Sequence, residues 1–489
     1  MSSPYIILPF RFSRFPNRLI LIVNEAGEFK FIHSDTFEEL INYQLKPGSK
    51  EFLELKGKHF LTDTELTPII NLLSIKYRSK KSFLKDFTSL HMVVVTLRCN
   101  QRCDYCHASS QSQRAKGWDM DKRTAINVVR TIMSSPSPTI KIEFQGGEPL
   151  LNFDIVKVIV NEAKKINKKI RKNLSFVICT NLTLIDEEIL NYLKKEDILV
   201  STSLDGPEEI HNRHRLLRTG EGSYEKIIKN LELTRKYLGY DKVSALMTIT
   251  KDSLPQLIKI INEYARLGFR SIFLRSLNPY GYALEEKNNL TYSIEEFIEA
   301  YKEALLFLIE LNLKGTYLEE IYTSILLTRI LTPFSTGFVD LQSPSGAGIN
   351  AVIYDYNGDV YPADEARMLA KMGDRRFYMG NVNNDPYLKI FESQVLKELV
   401  KFSCVETIPG CHSCAFQMYC GSDPIRNYTY QKNLKTHQPT SEFCTKHREI
   451  IKFLLEKIHE NDPDVMDVFW SWITRRSVAE IRGGKGCVN

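Results

Sequence analysis

From residue 90 to about 280 the chain alternates short apolar runs with longer stretches whose apolar residues recur every three or four positions. HMVVVTL (91–97), TIKIEF (139–144), LSFVICT (174–180), ILVSTSL (198–204), KVSALMTI (242–249) and RSIFLRSL (270–277) read as strands rich in β-branched residues. Stretches near 121–134, 153–166, 186–195, 223–238 and 254–266 read as amphipathic helices between them. Strands that are apolar along their length, each followed by a helix, predict a parallel α/β sheet curved into an open barrel. In such folds reactive groups gather at the carboxyl ends of the strands.

The flanks differ in pattern. RLILIVNEAGEFKFI reads as two strands around an Ala-Gly turn, and TFEELINYQL and DTELTPIINLLSIKY read as helices. Together they predict a small N-terminal α+β domain over residues 1–85, ahead of a barrel over 88–285. SIEEFIEAYKEALLFLIEL and TYLEEIYTSILLTRIL predict a helical connector over 286–338. An irregular, cysteine-rich domain over 339–455 opens with the hairpin INAVIYDYNGDVYP, whose Asn357-Gly358 pair suits a type I′ turn. DPDVMDVFWSWITRRSVAEI predicts one more helix in a closing segment, 456–489. A length of 489 residues suits about three domains.

Cysteine usage sharpens this outline. Of ten cysteines, three lie at 99–106 and five between 404 and 444, with only Cys179 and Cys487 apart. The start, MSSPYIILPFRFSRF, lacks a charged segment followed by a long apolar one, which predicts a cytoplasmic protein. No apolar run approaches the ~18 residues of a membrane span. Clustered thiols in such a chain point to metal rather than disulfides. The net charge of +6 is slight. The densest basic run, KKINKKIRK (164–172), has helical spacing and reads as a solvated helix face rather than a nucleic-acid patch.

Cys99, Cys103 and Cys106 follow the first strand immediately. Three thiolates on one loop can cap three irons of a cubane cluster and leave the fourth open. With His107 they could instead close a zinc site, and the triplet taken alone favours the cluster. After the second strand comes EFQGGEPLLNF, where Gly146 and Gly147 would let a backbone approach a bound ligand closely. The Glu148 carboxylate beside them could accept bonds from a ligand ammonium. CTNLTLI, with Thr180 and Asn181, follows the third strand, SLDGP follows the fourth, and HNRHRLLR comes next. Each alone passes for a strand-to-helix turn; together they face one mouth.

Cys-x3-Cys-x2-Cys after strand one and GGEP after strand two resemble the radical S-adenosylmethionine (radical SAM) enzymes. Over roughly residues 90–455 the chain is similar to the SPASM-type peptide maturases, among them the anaerobic sulfatase maturases. CNQRCDYCHASSQ and CGSDPIRNYTYQ…HQPTSEFC look closest to the radical maturases of His-Xaa-Ser peptide systems. The resemblance implies a partial (β/α)6 TIM-like barrel with a C-terminal SPASM-like domain. It also implies a [4Fe-4S] cluster whose open iron chelates S-adenosylmethionine, cleaved by one electron to a 5′-deoxyadenosyl radical. By similarity, Tyr105 would pack near the adenine and Gly147 would meet the methionyl amino group. Ser203 and Arg215, twelve apart, would contact ribose and carboxylate, and Leu277 would touch the adenine. Ordinary barrel packing is the alternative for Tyr105 and Leu277, and a surface arginine the alternative for Arg215.

Cys411, Cys414, Cys420 and Cys444 form a second set, which could hold an auxiliary [4Fe-4S] cluster or structural zinc; the family context favours the cluster. Cys404 is either a substitute ligand or a partly buried thiol. Ser345, Ala363 and Pro424 stand where the fuller SPASM pattern has cysteines, so two clusters are expected rather than three, with the hairpin held by packing alone. Asp364, beside the lost cysteine, matches an acid that takes the substrate proton in the sulfatase maturases; the alternative is a hairpin-end carboxylate facing water. The expected substrate is a ribosomally made peptide or protein, oxidised or cross-linked, at His-Xaa-Ser repeats in the narrowest reading. Residues 1–85 would grip its leader or simply cap the barrel. A flavodoxin or ferredoxin would supply the electron. RNA modification and a non-catalytic iron–sulfur scaffold are the alternatives. The modest charge counts against the first and the intact GGEP motif against the second.

Overall fold

The computed structural model describes residues 4–278, 280–281 and 287–483; the end of the closing segment, with Cys487, lies outside them. At the N-terminus, β1 (Phe10–Arg14), β2 (Leu19–Asn24) and β3 (Phe29–His33) form an antiparallel sheet in that order. Three strands thus replace the two expected, because FRFSR ahead of the expected pair also joins the ladder. Helices α1 (Ser34–Ile41), α2 (Lys50–Gly57) and α3 (Leu66–Lys80) follow, of which α2 was not anticipated. Tyr5, Phe37, Phe52 and Phe60 form a separate small core here.

The barrel strands are β4 (Leu90–Thr96), β5 (Thr139–Gly146), β6 (Asn173–Cys179), β7 (Ile198–Ser203) and β8 (Val243–Leu246), all parallel. Helices α4 (Lys122–Met133), α5 (Phe153–Ile170), α6 (Glu187–Glu196), α7 (Tyr224–Leu238) and α8 (Leu257–Arg266) connect them. Side-chain oxygens of Asp121 and Asp186 accept from the first-turn amides of α4 and α6, so acids in the sequence mark where those helices begin. Val93, Val94 and Val95 are wholly buried, which is why this strand reads as an unbroken apolar run.

The sixth expected strand is largely lost. Only Ser271–Ile272 is extended, and it pairs with Glu319–Glu320, leaving one bridge, Ile249 to Ser276, to join this segment to the end of strand five. Helices α9 (Ile294–Leu313) and α10 (Ile321–Leu331) follow, α9 starting at a capping box of Ser293 and Glu296.

The hairpin of the cysteine-rich region brings the largest correction. Its first strand, β9 (Ala351–Tyr354), pairs parallel with β4, Val352 opposite His91. Then β10 (Asp359–Tyr361) and β11 (Gly380–Asn381) continue antiparallel, so one sheet runs β8-β7-β6-β5-β4-β9-β10-β11. The hairpin is held by backbone hydrogen bonds to the barrel, not by packing alone. His91 Nδ1 lies 3.1 Å from the Tyr354 hydroxyl across that seam, and burial lowers its pKa to about 3, so the ring is neutral. The turn also differs from type I′. Gly358 alone has positive φ (87°), its N–H donates to Asp355 O (2.9 Å) and Asp355 N–H donates to Asp359 O (2.8 Å). That is a three-residue loop with a left-handed glycine.

Beyond the hairpin come α11 (Asp364–Lys371), α12 (Pro424–Gln431), α13 (Glu442–Glu460) and α14 (Pro463–Thr474). No described helix is long and apolar enough to cross a membrane.

Proline at Val352 removes an N–H from a strand with neighbours on both sides. Val352→Pro should cost ~1–3 kcal/mol for the lost pairing. Hydrogen exchange should show amides of β4 and β9 losing protection together, while those of β7 and β8 keep theirs.

Candidate active site

The loop after β4 is fastened at several points. Arg98–Cys99 pairs with Gln111–Ser112, and Gln101–Cys103 pairs antiparallel with Leu217–Arg215, placing Arg215 opposite Cys103. Arg218 donates from Nε to Cys99 O (2.8 Å) and from Nη2 to Ser110 O (3.2 Å). Arg98 donates to Asp119, Gln113 O and Leu151 O. Neither arginine had been singled out in the sequence, where both sit among other basic residues.

Gly146 and Gly147 press against this loop. Gly147 N–H donates to Thr96 O (2.9 Å) and Glu148 N–H to Arg98 O (2.8 Å). A Cβ on Gly146, whose φ is +140°, would overlap the Thr96 carbonyl, and one on Gly147 would come within 2.6 Å of Leu97 O. The first requirement for glycine is therefore the cysteine loop's own backbone; both residues also line the cavity.

Glu148 departs from its expected role. Its fully buried carboxylate accepts from Leu150 N (3.0 Å), Thr180 Oγ1 (2.7 Å) and Asn181 N (2.8 Å), and it does not line the cavity. It joins the ends of β5 and β6 rather than waiting for a ligand ammonium. Burial raises its pKa to about 7, with these three bonds pulling the other way. Asn181 carries the linkage onward: its Nδ2 donates to Asn100 Oδ1 (2.9 Å) and lies 3.9 Å from Cys99 Sγ.

Across the cavity stands a trio that includes an unanticipated member. Asp205, in SLDGP, accepts from the Tyr105 hydroxyl and from Arg215 Nε (2.8 Å). The Arg215 guanidinium lies over the Tyr105 ring, 5.1 Å from its centroid. Burial alone would raise the Asp205 carboxyl, but Arg215, His211 and the bond from Tyr105 outweigh it and hold it below the usual carboxylate value. Leu277 packs against Tyr105 and Leu290, behind the ring rather than in the cavity wall.

One cavity of about 440 Å3 collects most of the expected residues: Cys99, Cys103, Cys106, Tyr105, Gly146, Gly147, Thr180, Asn181, Ser203, Arg215 and Asp364. Asp364 is at the start of α11, not at a solvent-facing hairpin end, and accepts from Arg367 Nε (2.8 Å). Cys179 and Glu143 share the wall. His107 lines it too; burial lowers its pKa to about 3 and leaves a neutral ring whose Nε2 has no partner. Burial also pushes the Cys99 and Cys103 thiols up, so holding them as thiolates calls for a strong local positive charge, which bound iron supplies. Cys411, Cys414, Cys420 and Cys444 line a second, more apolar cavity with Phe416 and Phe443. Arg329 fixes its loop by donating to the carbonyls of Met418, Tyr419 and Cys420. Cys404 is absent from that wall and donates instead to Val400 O (3.3 Å). Among the described residues no three Cys, His, Asp or Glu side chains are drawn together around a single ion.

The Radical SAM superfamily model matches residues 93–264, from the first barrel strand through α8. An uncharacterized protein of Methanocaldococcus jannaschii is 33% identical over 210 residues, 42% of this chain and 68% of that one. The chain belongs to the radical SAM superfamily. A cysteine-type anaerobic sulfatase-maturating enzyme of Clostridium novyi is 25% identical over 353 residues, 69% of this radical SAM chain and 88% of that enzyme. The solved structure of native anSMEcpe with bound AdoMet and Cp18Cys peptide shares the fold, with TM-score 0.63 at 21% identity over 78% of this chain and 99% of that one.

Two substitutions test the loop's attachments. Gly147→Ala should displace residues 97–98, and anaerobic iron reconstitution should then fall well short of the wild type. Glu148→Gln leaves one buried donor without its acceptor and should cost ~1–3 kcal/mol at pH 8. The wild-type carboxyl titrates near 7, against 4.5 for the ordinary group, so its protonated form favours folding. The stability advantage of wild type over E148Q should therefore be largest below pH 4.5 and shrink as pH rises through 7, which denaturant titrations across that range will check.

Proposed function

We propose that this radical SAM protein oxidises or cross-links a residue of a ribosomally made peptide or protein. The observation that carries the reading is the single cavity where three loop cysteines meet Asn181, Ser203, Arg215 and Asp364. Cys99, Cys103 and Cys106 would hold a [4Fe-4S] cluster; Gly147, Thr180, Asn181, Ser203 and Arg215 would seat S-adenosylmethionine. Bound there, the pair supplies radical hydrogen-abstraction chemistry. Tyr105 orients the site through Asp205, and Leu277 backs its ring. Arg215, tied to Asp205 and lying over Tyr105, presents a fixed cation to a carboxylate. Asp364, held by Arg367, takes the proton released when the substrate is oxidised. Cys411, Cys414, Cys420 and Cys444 would hold one auxiliary [4Fe-4S] cluster, with a flavodoxin or ferredoxin as electron source.

The N-terminal region supplies a place for the peptide. The outer edge of β3 is unpaired among the described residues and borders a groove with Lys30, Lys58, Lys76 and Lys80 in its wall. A leader segment could add there as a further strand, with acidic side chains facing the lysines. Support for a peptide comes from the sulfatase-maturating relative and from the Cp18Cys peptide bound to anSMEcpe. His-Xaa-Ser repeats are the narrowest candidate substrate.

Reconstituted without oxygen, the protein should hold about eight irons, four per cubane cluster. With dithionite and S-adenosylmethionine it should then release 5′-deoxyadenosine. A fully loaded protein that releases none overturns the enzymatic reading, and about four irons removes the auxiliary cluster. Asp364→Asn should keep 5′-deoxyadenosine formation while modified peptide, read by mass spectrometry, drops by ~100-fold or more.

A further inference from the structure

A smaller chamber of about 160 Å3 adjoins the main cavity. Arg275, Asp340, Glu365 and Asp423 line both spaces and so form the seam between them. Arg426 and Lys446 stand in the chamber wall, and Phe273, Tyr322, Phe338 and Phe443 make the rest of it largely aromatic.

Three cations, Arg275, Arg426 and Lys446, share this wall with three acids, Asp340, Glu365 and Asp423. Asp423 is committed to capping α12, its Oδ1 accepting from Ile425 N (3.1 Å) and Arg426 N (2.9 Å). Burial, reinforced by Asp340, Asp423 and Asp364, raises the Glu365 carboxyl to about 8, so it is largely protonated at neutral pH. Burial raises the Asp340 and Asp423 carboxyls as well, so what sets the cations of this wall apart is how loosely they are bonded. Lys446 Nζ donates only to Ser276 Oγ, at 3.5 Å, and Arg426 reaches Asn278 Oδ1 at 3.3 Å and the Glu442 carboxylate at 3.8 Å, all long contacts. No hydrogen bond or ion pair joins the Arg275 guanidinium to the described residues.

A second, independent feature points the same way. His447, 1% exposed, lines the chamber and bonds through Nδ1 to the Tyr322 hydroxyl. Burial keeps the ring neutral. Nδ1 is taken by the Tyr322 hydroxyl, and the buried Nε2 has no hydrogen-bond partner. A buried polar atom left unpaired costs ~1–3 kcal/mol, which a ligand group bonded to it would recover. A short methylene stem suits the aromatic wall, and a planar anion suits the arginine fork.

We propose that this chamber is a specificity pocket for a carboxylate of the peptide substrate, held by Arg275, Arg426 and Lys446 beside the unpaired His447 Nε2. The carboxylate belongs either to an Asp or Glu side chain or to the peptide's own C-terminus. The neighbouring substrate residue is thereby presented to Asp364 and the cysteine-lined cavity. This inference rests on the peptide-modifying reading above.

Calorimetric titration of the anaerobically reconstituted protein, saturated with S-adenosylmethionine, tests it with four probes. N-acetylglutamate α-amide is compared with N-acetylglutamine α-amide, and N-acetylglycine with N-acetylglycinamide. At least one acid should bind ~10-fold more tightly than its neutral twin, a difference of ~1.4 kcal/mol. Preference confined to the glutamate compound assigns the pocket to an internal acidic residue, and preference confined to N-acetylglycine assigns it to a C-terminus. Arg275→Gln should abolish the preference and Arg275→Lys restore part of it. The probe comparison needs only the wild type, so a poorly folding variant does not decide the outcome. Neutral amides that match the acids, or acids that fail to bind, overturn the pocket. Failure of the same preparation to form 5′-deoxyadenosine overturns the enzymatic reading instead.

Discussion

Two stretches of main chain cross at van der Waals distance, Thr96–Arg98 beneath Gly146–Gly147, and the rest of the site hangs from that crossing. It is possible only because neither glycine carries a Cβ, and it is tied by amides donating to Thr96 O and Arg98 O. The crossing sets where the cysteine loop leaves the sheet. Glu148, next in sequence, extends the tie to β6 through Thr180 and Asn181, and Asn181 returns it to Asn100 and the edge of Cys99. A loop anchored by few apolar side chains, Leu97 and Tyr105 among them, is thus further immobilised by hydrogen bonds whose donors and acceptors are buried, where an unmet partner is costly.

The opposite wall is fixed by charge. Asp205 gathers Tyr105 and Arg215, residues from two separate segments, and the antiparallel pairing of Gln101–Cys103 with Leu217–Arg215 keeps them in register with the cysteines. One wall is therefore set by backbone geometry and the other by a buried ion pair. Both belong to the barrel, while Asp364 arrives from the hairpin region; the β4–β9 pairing brings the two parts together.

What the sequence revealed follows from which forces leave a one-dimensional trace. Strands buried on both faces leave apolar runs, so β4 to β8 could be read directly, and thiols clustered around a loop announce themselves. Segment 270–277 looked like the others but pairs over only two residues, because ladder partners are chosen by tertiary contacts that β-propensity does not encode. Glu148 and the glycines were recognisable as a group. Whether their partners were a ligand or the protein's own backbone was not, since that depends on which loop lies opposite. Asp205 was visible in SLDGP yet indistinguishable from any turn aspartate until Tyr105 and Arg215 were seen to converge on it. Ser345, Ala363 and Pro424 stood out in the sequence only against the fuller cysteine pattern of the family it resembles. They gave no sign of the charged chamber bounded nearby by Asp340, Glu365 and Asp423.

The sheet that runs unbroken from β8 to β11 has a consequence for how the polypeptide can be handled and how it could have arisen. A shortened chain ending before residue 351 would expose the full outer edge of β4, a stiff, valine-rich strand with free amides and carbonyls. Such an edge invites intermolecular pairing. The C-terminal region thus serves as the edge guard of the barrel, and expressing the barrel alone would leave that edge open to pairing with other chains. By the same reasoning, the loops of this region can vary freely in sequence provided the strand that covers β4 is kept.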